Sequence, residues 1–296
     1  MTSMGSQYAQ AKYDRVACSY DDLYSRHVAI PNGRLTRGLR LLPGERLADL
    51  ACGTGVHTIE MARSVAPATV VGVDLSEGML AAAKERAFAE GVYLTLVRAR
   101  AEHFVDSCAP RSLEAISIRF ALAYLDWQRM LPRIGRVLVP GGRIGILTSL
   151  STSIPQLYQL FLRYRGSVEP AWKLFHYTGR SLTETLRLFR GLREAFADGA
   201  FITLPDSPEA ISNCLVRGGM TTEEVWTDRV RIWFSSPVEM IAWMHSSGYV
   251  THASLERVGP DAVRFLDALF ADGLEEFREK LGIPLDLVMC GVIARK

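Results

Sequence analysis

The stretch Arg46–Glu60, RLADLACGTGVHTIE, decides how the chain is read. Leu47 to Ala51 is a short, mostly apolar run. It stops at Cys52-Gly53-Thr54-Gly55, and an apolar-periodic segment from Val56 to Val65 follows at once. The pattern predicts a buried parallel strand, a tight glycine turn and a helix. Glycine admits backbone angles that a side chain forbids, and it lets a ligand approach the main chain closely. The first turn of the helix presents N–H groups with no partner inside the helix. The turn therefore reads as a cofactor cradle, whose shape alone does not name its occupant.

A Gly-x-Gly turn after a strand also opens dinucleotide sites. Here Thr58 stands where the third glycine of that fingerprint falls, and Asp49 precedes the turn. A carboxylate at that point opposes a pyrophosphate and suits a cationic amino group. Val70-Val71-Gly72-Val73-Asp74-Leu75-Ser76 reads as a second buried strand ending in an acid. It lies about 20 residues past the glycines, where a ribose diol is gripped. Asp49 and the missing glycine argue against a dinucleotide-dependent oxidoreductase.

Composition narrows the classes further. The chain has 296 residues, 48% of them hydrophobic, enough for one sizeable α/β core with an insertion. A formal net charge of +2 gives no electrostatic case for nucleic acid. The first residues are polar and lack the apolar core of a secretory signal, and no apolar run reaches the length of a membrane span, so a cytoplasmic protein off the membrane is expected. The 5 cysteines are scattered with no Cys-x-x-Cys, which predicts reduced thiols and neither a disulfide framework nor a metal site.

These residues resemble the class I S-adenosylmethionine-dependent methyltransferases, in the small-molecule branch related to ubiquinone and menaquinone methyltransferases. DLACGTG, starting at Asp49, is similar to the first motif of that family. GVDLSEGML, Gly72 to Leu80, is similar to the second, and RVLVPGGRIGIL, Arg136 to Leu147, to the entry of the fifth strand. The resemblance runs from Tyr8 to Thr148 and, more loosely, over Asp286 to Lys296. It implies a doubly wound, Rossmann-like α/β fold with a seven-stranded, mostly parallel sheet. Residues 1–45 would form an N-terminal helical cap and 46–148 the cofactor-binding core. Residues 149–204 would form a helical lid inserted after strand five, and 205–296 the rest of the core with its last two strands. The implied activity is methyl transfer from S-adenosylmethionine to an O, N, S or C atom of a small molecule, releasing S-adenosylhomocysteine.

The resemblance also assigns roles. Ala51, Gly53 and Gly55 belong to the cradle, with Asp49 toward the amino group and Asp74 on the ribose. Leu75 and Met79 would pack on adenine, and the Ala101 N–H would reach a ring nitrogen. Arg100 stands where the family commonly has an aspartate accepting from the adenine amino group. A guanidinium cannot accept a hydrogen bond, so Glu102 is the candidate replacement. The Arg119 carbonyl would take the methionine amino group, and Phe120 and Tyr124 would border the methyl. Tyr13 and Tyr20 are candidates for a ring facing the sulfonium, as a cation favours.

The insertion holds Trp172, Phe175, His176 and Tyr177, of which Trp172, His176 and Tyr177 are candidate acceptor contacts. Homodimerisation or packing is the other reading of that segment. Displacement at a sulfonium needs no protein nucleophile, but an oxygen or nitrogen acceptor can need a base, and His57, His176 and Tyr20 are the candidates. The Arg100 substitution leaves room for a fold-related binding protein or a non-methylating catalyst such as a cyclase.

Local signals complete the expectations. Pro31-Asn32-Gly33 predicts a break before a helix over Leu35–Leu42. Ser76 and Asp126 read as N-caps, and Ser181–Glu184 and Ser236–Glu239 as capping boxes.

Overall fold

The computed structural model describes residues 3–165, 173, 181, 183–188, 190, 204–247 and 260–296. Trp172, Phe175, His176 and Tyr177 lie outside the described residues. The chain forms two compact units. One comprises Met1–Ser151, Thr203–Asp228 and Val288–Lys296, the other Thr152–Ile202 and Arg229–Leu287.

Seven strands make one sheet: β1 Leu47–Leu50, β2 Val70–Asp74, β3 Leu94–Arg98, β4 Leu113–Arg119, β5 Leu138–Ser149, β6 Thr221–Phe234 and β7 Ile283–Arg295. Their order is β3-β2-β1-β4-β5-β7-β6. β1 pairs in parallel with β2 and β4, β2 with β3 and β4 with β5, while β7 runs antiparallel to β5. All four residues of β1 are buried, as expected for a central strand covered on both faces. The chain order reverses between β1 and β4, which opens a crevice at the carboxyl ends of these strands.

The helices of the first unit that matter for the site are α1 Ser3–Val16, α2 Tyr20–Leu23, α3 Ala29–Gly38, α4 Val56–Val65, α5 Glu77–Ala89, α6 Ala101–Ser107 and α7 Trp127–Val137. Leu50, Ile116, Ile118, Ile144 and Ile146 of the strands and Leu131 and Ile134 of α7 belong to one continuous core, which Ile211 and Leu215 join. α4 spans the residues that the apolar spacing predicts. Ser76 caps α5 by accepting the Met79 N–H, and Gly91, with φ 64°, ends the segment after it.

Two expectations need correction. α3 runs straight through Pro31-Asn32-Gly33. Pro31 is the third residue of the helix, where an N–H has no intrahelical acceptor, so the ring costs no hydrogen bond. Asp126 stands at the N-cap of α7, but its carboxylate makes no cap bond. Its backbone N–H instead donates to Glu102 Oε1 at 2.9 Å.

In the second unit, Pro155–Arg165 and Pro260–Leu274 are helices. A Cβ on Gly273 would fall 2.6 Å from Leu160 Cδ2, so the small residue permits their close approach. The Asp286 carboxylate accepts from Arg231 Nε at 2.6 Å and from Gln156 at 3.2 Å. The Ser181–Glu184 box forms: Glu184 N–H donates to Ser181 Oγ at 3.4 Å and Ser181 N–H to Glu184 Oε2 at 3.2 Å. At the second site Glu239 N–H donates to Ser236 Oγ at 3.2 Å, but the Glu239 carboxylate takes the N–H of Ser235 instead of Ser236.

Candidate functional site

The carboxyl ends of β1, β2 and β4, with α1 and α2 above them, enclose a cavity in the first unit. Its floor is the turn after β1. Ala51 and Gly53 line it with φ of 60° and 55°. Among the described residues nothing lies within 4 Å of where a Gly53 Cβ would stand, so this glycine serves the bend and leaves the backbone open to the cavity. Gly55, with φ 79°, does not line the cavity. A Cβ there would sit 2.9 Å from Ala83 Cβ, so this glycine lets α4 pack on α5.

Asp74 sits at the end of β2 and lines the same cavity. Its Oδ2 accepts the Gly53 N–H at 2.9 Å and its Oδ1 the Ser76 N–H at 2.9 Å. Burial raises its pKa, against the pull of these backbone donors. With Leu75 as a third backbone donor, the carboxylate's four lone pairs still leave room to accept a ligand hydroxyl. Leu75 and Met79 line this wall, and Ala101 and Glu102 continue it.

Glu102 is 6% exposed. Its Oε1 accepts from Arg100 at 3.1 Å and from the Asp126 N–H, while its Oε2 is buried with no partner among the described residues. A buried, half-satisfied carboxylate on a cavity wall is a ready acceptor for a ligand donor. Arg100 lies on the wall as well, and one of its roles is to hold Glu102.

At the opposite end stands Arg119, whose guanidinium is turned to residues outside the cavity lining. It is 8% exposed and lines the cavity. It donates to Asp49 Oδ1 at 3.3 Å, to Thr36 Oγ1 at 3.0 Å and to the Ser117 hydroxyl, while its Nε is buried without a partner among the described residues. Burial lowers its pKa, opposed by Asp49 and Glu60. Asp49 is 3% exposed and is not part of the lining. Its second oxygen takes the Thr58 hydroxyl at 2.6 Å. The expected direct grip of Asp49 on an amino group is thus replaced by an ion pair behind the wall. Phe120 lines the cavity with φ 51°, an uncommon conformation for a bulky side chain and one that gathers at functional sites.

The roof is aromatic. Tyr13, Tyr20 and Tyr124 line the cavity, and Tyr13 meets the other two edge-on, with ring centroids 6.1 Å and 5.5 Å apart. Tyr24 meets Phe120 edge-on at 5.6 Å. Burial raises the pKa of Tyr13 and of Tyr20, so both are neutral phenols near neutral pH. Tyr20 is therefore poorly suited to act as a base.

Two aspartates pin the roof. Asp14 accepts from Ser76 Oγ at 2.5 Å and from the Gly78 N–H at 3.0 Å, which fixes α1 on the start of α5. Asp21 accepts from Thr54 at 2.8 Å and from Arg86 at 2.5 Å, which fixes α2 on the glycine turn. His57 is not brought to the cavity: its Nδ1 lies 3.3 Å from Glu60 on the same helix, and burial lowers its pKa.

Sequence reasoning missed Lys12, which is 5% exposed and whose Nζ lies 3.2 Å from the Tyr124 hydroxyl. The available signal was a lysine three residues after Ala9 and one before Tyr13, on the buried stripe of α1.

Among the described residues, no group of three or more His, Cys, Asp or Glu is placed to hold a metal ion. Among the same residues, no helix is long and apolar enough to cross a membrane.

Residues 47–142 match the profile of a methyltransferase domain family. The demethylmenaquinone methyltransferase of Corynebacterium efficiens is 35% identical over 132 residues, 44% of this chain and 53% of that protein, so the chain spans about half the length of this relative. The demethylmenaquinone methyltransferase of Listeria welshimeri is 29% identical over 218 residues, 68% of this chain and 90% of that one. The crystal structure of the YcgJ protein from Bacillus subtilis shares the fold with a TM-score of 0.56, at 13% identity over 90% of this chain and 97% of that chain. Over residues 47–142 the chain is thus similar to a methyltransferase domain family, and it resembles the demethylmenaquinone methyltransferases.

Proposed function

We propose that the protein is an S-adenosylmethionine-dependent methyltransferase acting on a small-molecule acceptor. One observation carries the reading: the Gly53 turn and the Asp74 carboxylate are hydrogen-bonded to each other at the cavity wall, and Glu102 keeps an unpartnered buried oxygen on that wall. These groups fit the cofactor. The Asp74 carboxylate stands on the cavity wall as an acceptor for the ribose diol. Leu75 and Met79 supply apolar cover for adenine. The Ala101 N–H, in the first turn of α6, needs a partner outside the helix. Glu102 Oε2 accepts the amino group that Arg100 cannot. Tyr13, Tyr20 and Phe120 supply aromatic walls for a sulfonium.

When bound, the cofactor supplies an electrophilic methyl group on a sulfur that leaves as a neutral thioether. The residues of this chain do not form a covalent bond in such a reaction. They hold acceptor and methyl in line, and the apolar and aromatic walls exclude water.

The test is to incubate the protein with S-adenosylmethionine carrying a labelled methyl group and a pooled small-molecule extract. The reading expects label in a small molecule together with an equal amount of S-adenosylhomocysteine. S-adenosylmethionine left intact, or label confined to protein or nucleic acid, contradicts it.

A further inference from the structure

Lys12 is a buried amine on α1 to which the cofactor reading gives no role. Its Nζ lies 5.2 Å from the centre of the Tyr13 ring and 5.6 Å from that of Tyr124. Both rings line the cavity and Lys12 does not, so the rings stand between the amine and the ligand space. Among the described residues no carboxylate pairs with this amine. On its own helix, Arg15 disfavours the ammonium form, and Asp14 takes Ser76 and the Gly78 N–H at the start of α5. On α2, Asp21 takes Thr54 and Arg86, and on α5, Glu77 takes Arg98. The 3-10 turn Leu122–Tyr124 brings the Tyr124 hydroxyl to within 3.2 Å of the amine. Across the cavity, Asp74 takes the Gly53 and Ser76 N–H groups and Glu102 takes Arg100. Tyr13 and Tyr20 have raised pKa values, so neither supplies an anion. Burial, and then Arg15, bring the Lys12 pKa down to about 7.

A sulfonium in the cavity and an ammonium at Lys12 would lie on the two sides of one layer of aromatic rings. Each is drawn to the rings, but two cations in a buried, apolar setting with no counter-ion repel each other. Methyl transfer turns the sulfonium into an uncharged thioether, so only the methylated form of the cofactor meets this repulsion. We propose that the charge on Lys12 sets which form of the cofactor the cavity prefers: the neutral amine admits S-adenosylmethionine, and the ammonium favours S-adenosylhomocysteine. This rests on the methyl-transfer reading above, which puts the sulfonium against Tyr13 and Tyr20.

Lys12 makes no covalent bond in this scheme; it exchanges one proton with solvent. The Lys12 ammonium gives that proton up when S-adenosylmethionine binds, and the amine takes one back once the sulfur has lost its charge. Above pH 7 the sulfonium meets an amine that is already neutral. Below pH 7 it must expel the proton first, which costs about 10-fold in affinity for each pH unit. S-adenosylhomocysteine carries no sulfonium and meets no such cost. Acid therefore moves the protein toward its product-bound form and slows turnover at a fixed ratio of the two ligands.

The test is calorimetric titration of the full chain with S-adenosylmethionine and with S-adenosylhomocysteine at pH 8 and at pH 6, in the wild type and in Lys12→Met. From pH 8 to pH 6 the wild type should lose about 10-fold in its preference for S-adenosylmethionine relative to the variant. Comparison with the variant cancels the titration of the ligands' own amino groups. Thermal melting checks that the variant is folded. A second measurement needs no variant. At pH 6, in two buffers of different ionisation enthalpy, S-adenosylmethionine should release about one proton more from the wild type than S-adenosylhomocysteine does.

The same pH profile in the wild type and in folded Lys12→Met, or equal proton release by the two ligands, would each overturn the proposal. The titrations also separate this from failure of the underlying reading. If S-adenosylhomocysteine does not bind the wild type, the methyltransferase reading falls and takes the proposal with it. If both ligands bind and their affinities change with pH in step, the proposal falls alone.

Discussion

The Asp21 carboxylate accepts the Thr54 hydroxyl at 2.8 Å, which ties the aromatic roof to the glycine turn beneath it. The same carboxylate takes Arg86 at 2.5 Å and Ser25 at 2.9 Å. A residue outside the cavity lining therefore sets the position of both Tyr20 and the turn. Asp21→Ala should weaken S-adenosylhomocysteine binding by about 1–2 kcal/mol, the scale of a lost charged hydrogen bond. Calorimetric titration checks this, and wild-type affinity in the variant would show that the roof needs no such pin.

Arg119 and Asp49 form a buried pair 3.3 Å apart, with side chains 7% and 4% exposed. Among the described residues, removing the cation leaves Asp49 with only the Thr58 hydroxyl. Arg119→Met should destabilise the fold by about 3–5 kcal/mol, as expected when one partner of a buried pair is lost. Urea denaturation measures it. A second change, Asp49→Asn, should recover part of that loss because it removes the stranded charge.

Gly55 shows a steric requirement. Its φ is 79°, and an added Cβ would meet Ala83 Cβ at 2.9 Å and Ala83 Cα at 3.2 Å. Gly55→Ala should cost about 1–3 kcal/mol, from left-handed strain and overpacking together. The same change at Gly53, where no atom lies within 4 Å, should cost only the conformational part. Thermal melts of the two variants, compared at one pH, decide whether packing separates them.

Much of this arrangement was legible because it is local. A strand, a glycine turn and a helix follow each other between Leu47 and Val65, and the structure places them there. Asp74 ends its strand in the same way. The parts that were not legible depend on tertiary contact. Arg119 was read through its carbonyl because nothing nearby in the chain reveals that its side chain meets Asp49, 70 positions away. Lys12 was passed over because Tyr124, its partner, is 112 positions distant. Pro31 was read as a breaker because proline ends helices in their interior, whereas here it occupies the first turn. His57 looked close to the site along the chain, but its helix turns it to Glu60.

The lowered pKa of Lys12 has a consequence for stability. The folded pKa is about 7, against an ordinary value of 10.5. Between these values the unfolded chain binds the proton and the folded chain does not, so stability rises with pH across that window. Between pH 7 and 9 the wild type should gain about 1.4 kcal/mol per pH unit relative to Lys12→Met. Denaturant melts at several pH values test this. Parallel curves for the two proteins would mean that the folded amine is an ordinary ammonium.

The central claim is that Gly53 and Asp74 together hold the nucleoside of S-adenosylmethionine. The most direct measurement is calorimetric titration of the wild type and of Asp74→Ala with S-adenosylhomocysteine, with NAD as the comparison ligand. The account predicts one S-adenosylhomocysteine per chain, no heat with NAD, and a loss of about 1–3 kcal/mol in the variant. Binding of NAD in place of S-adenosylhomocysteine, or equal affinity in a folded Asp74→Ala protein, would contradict it.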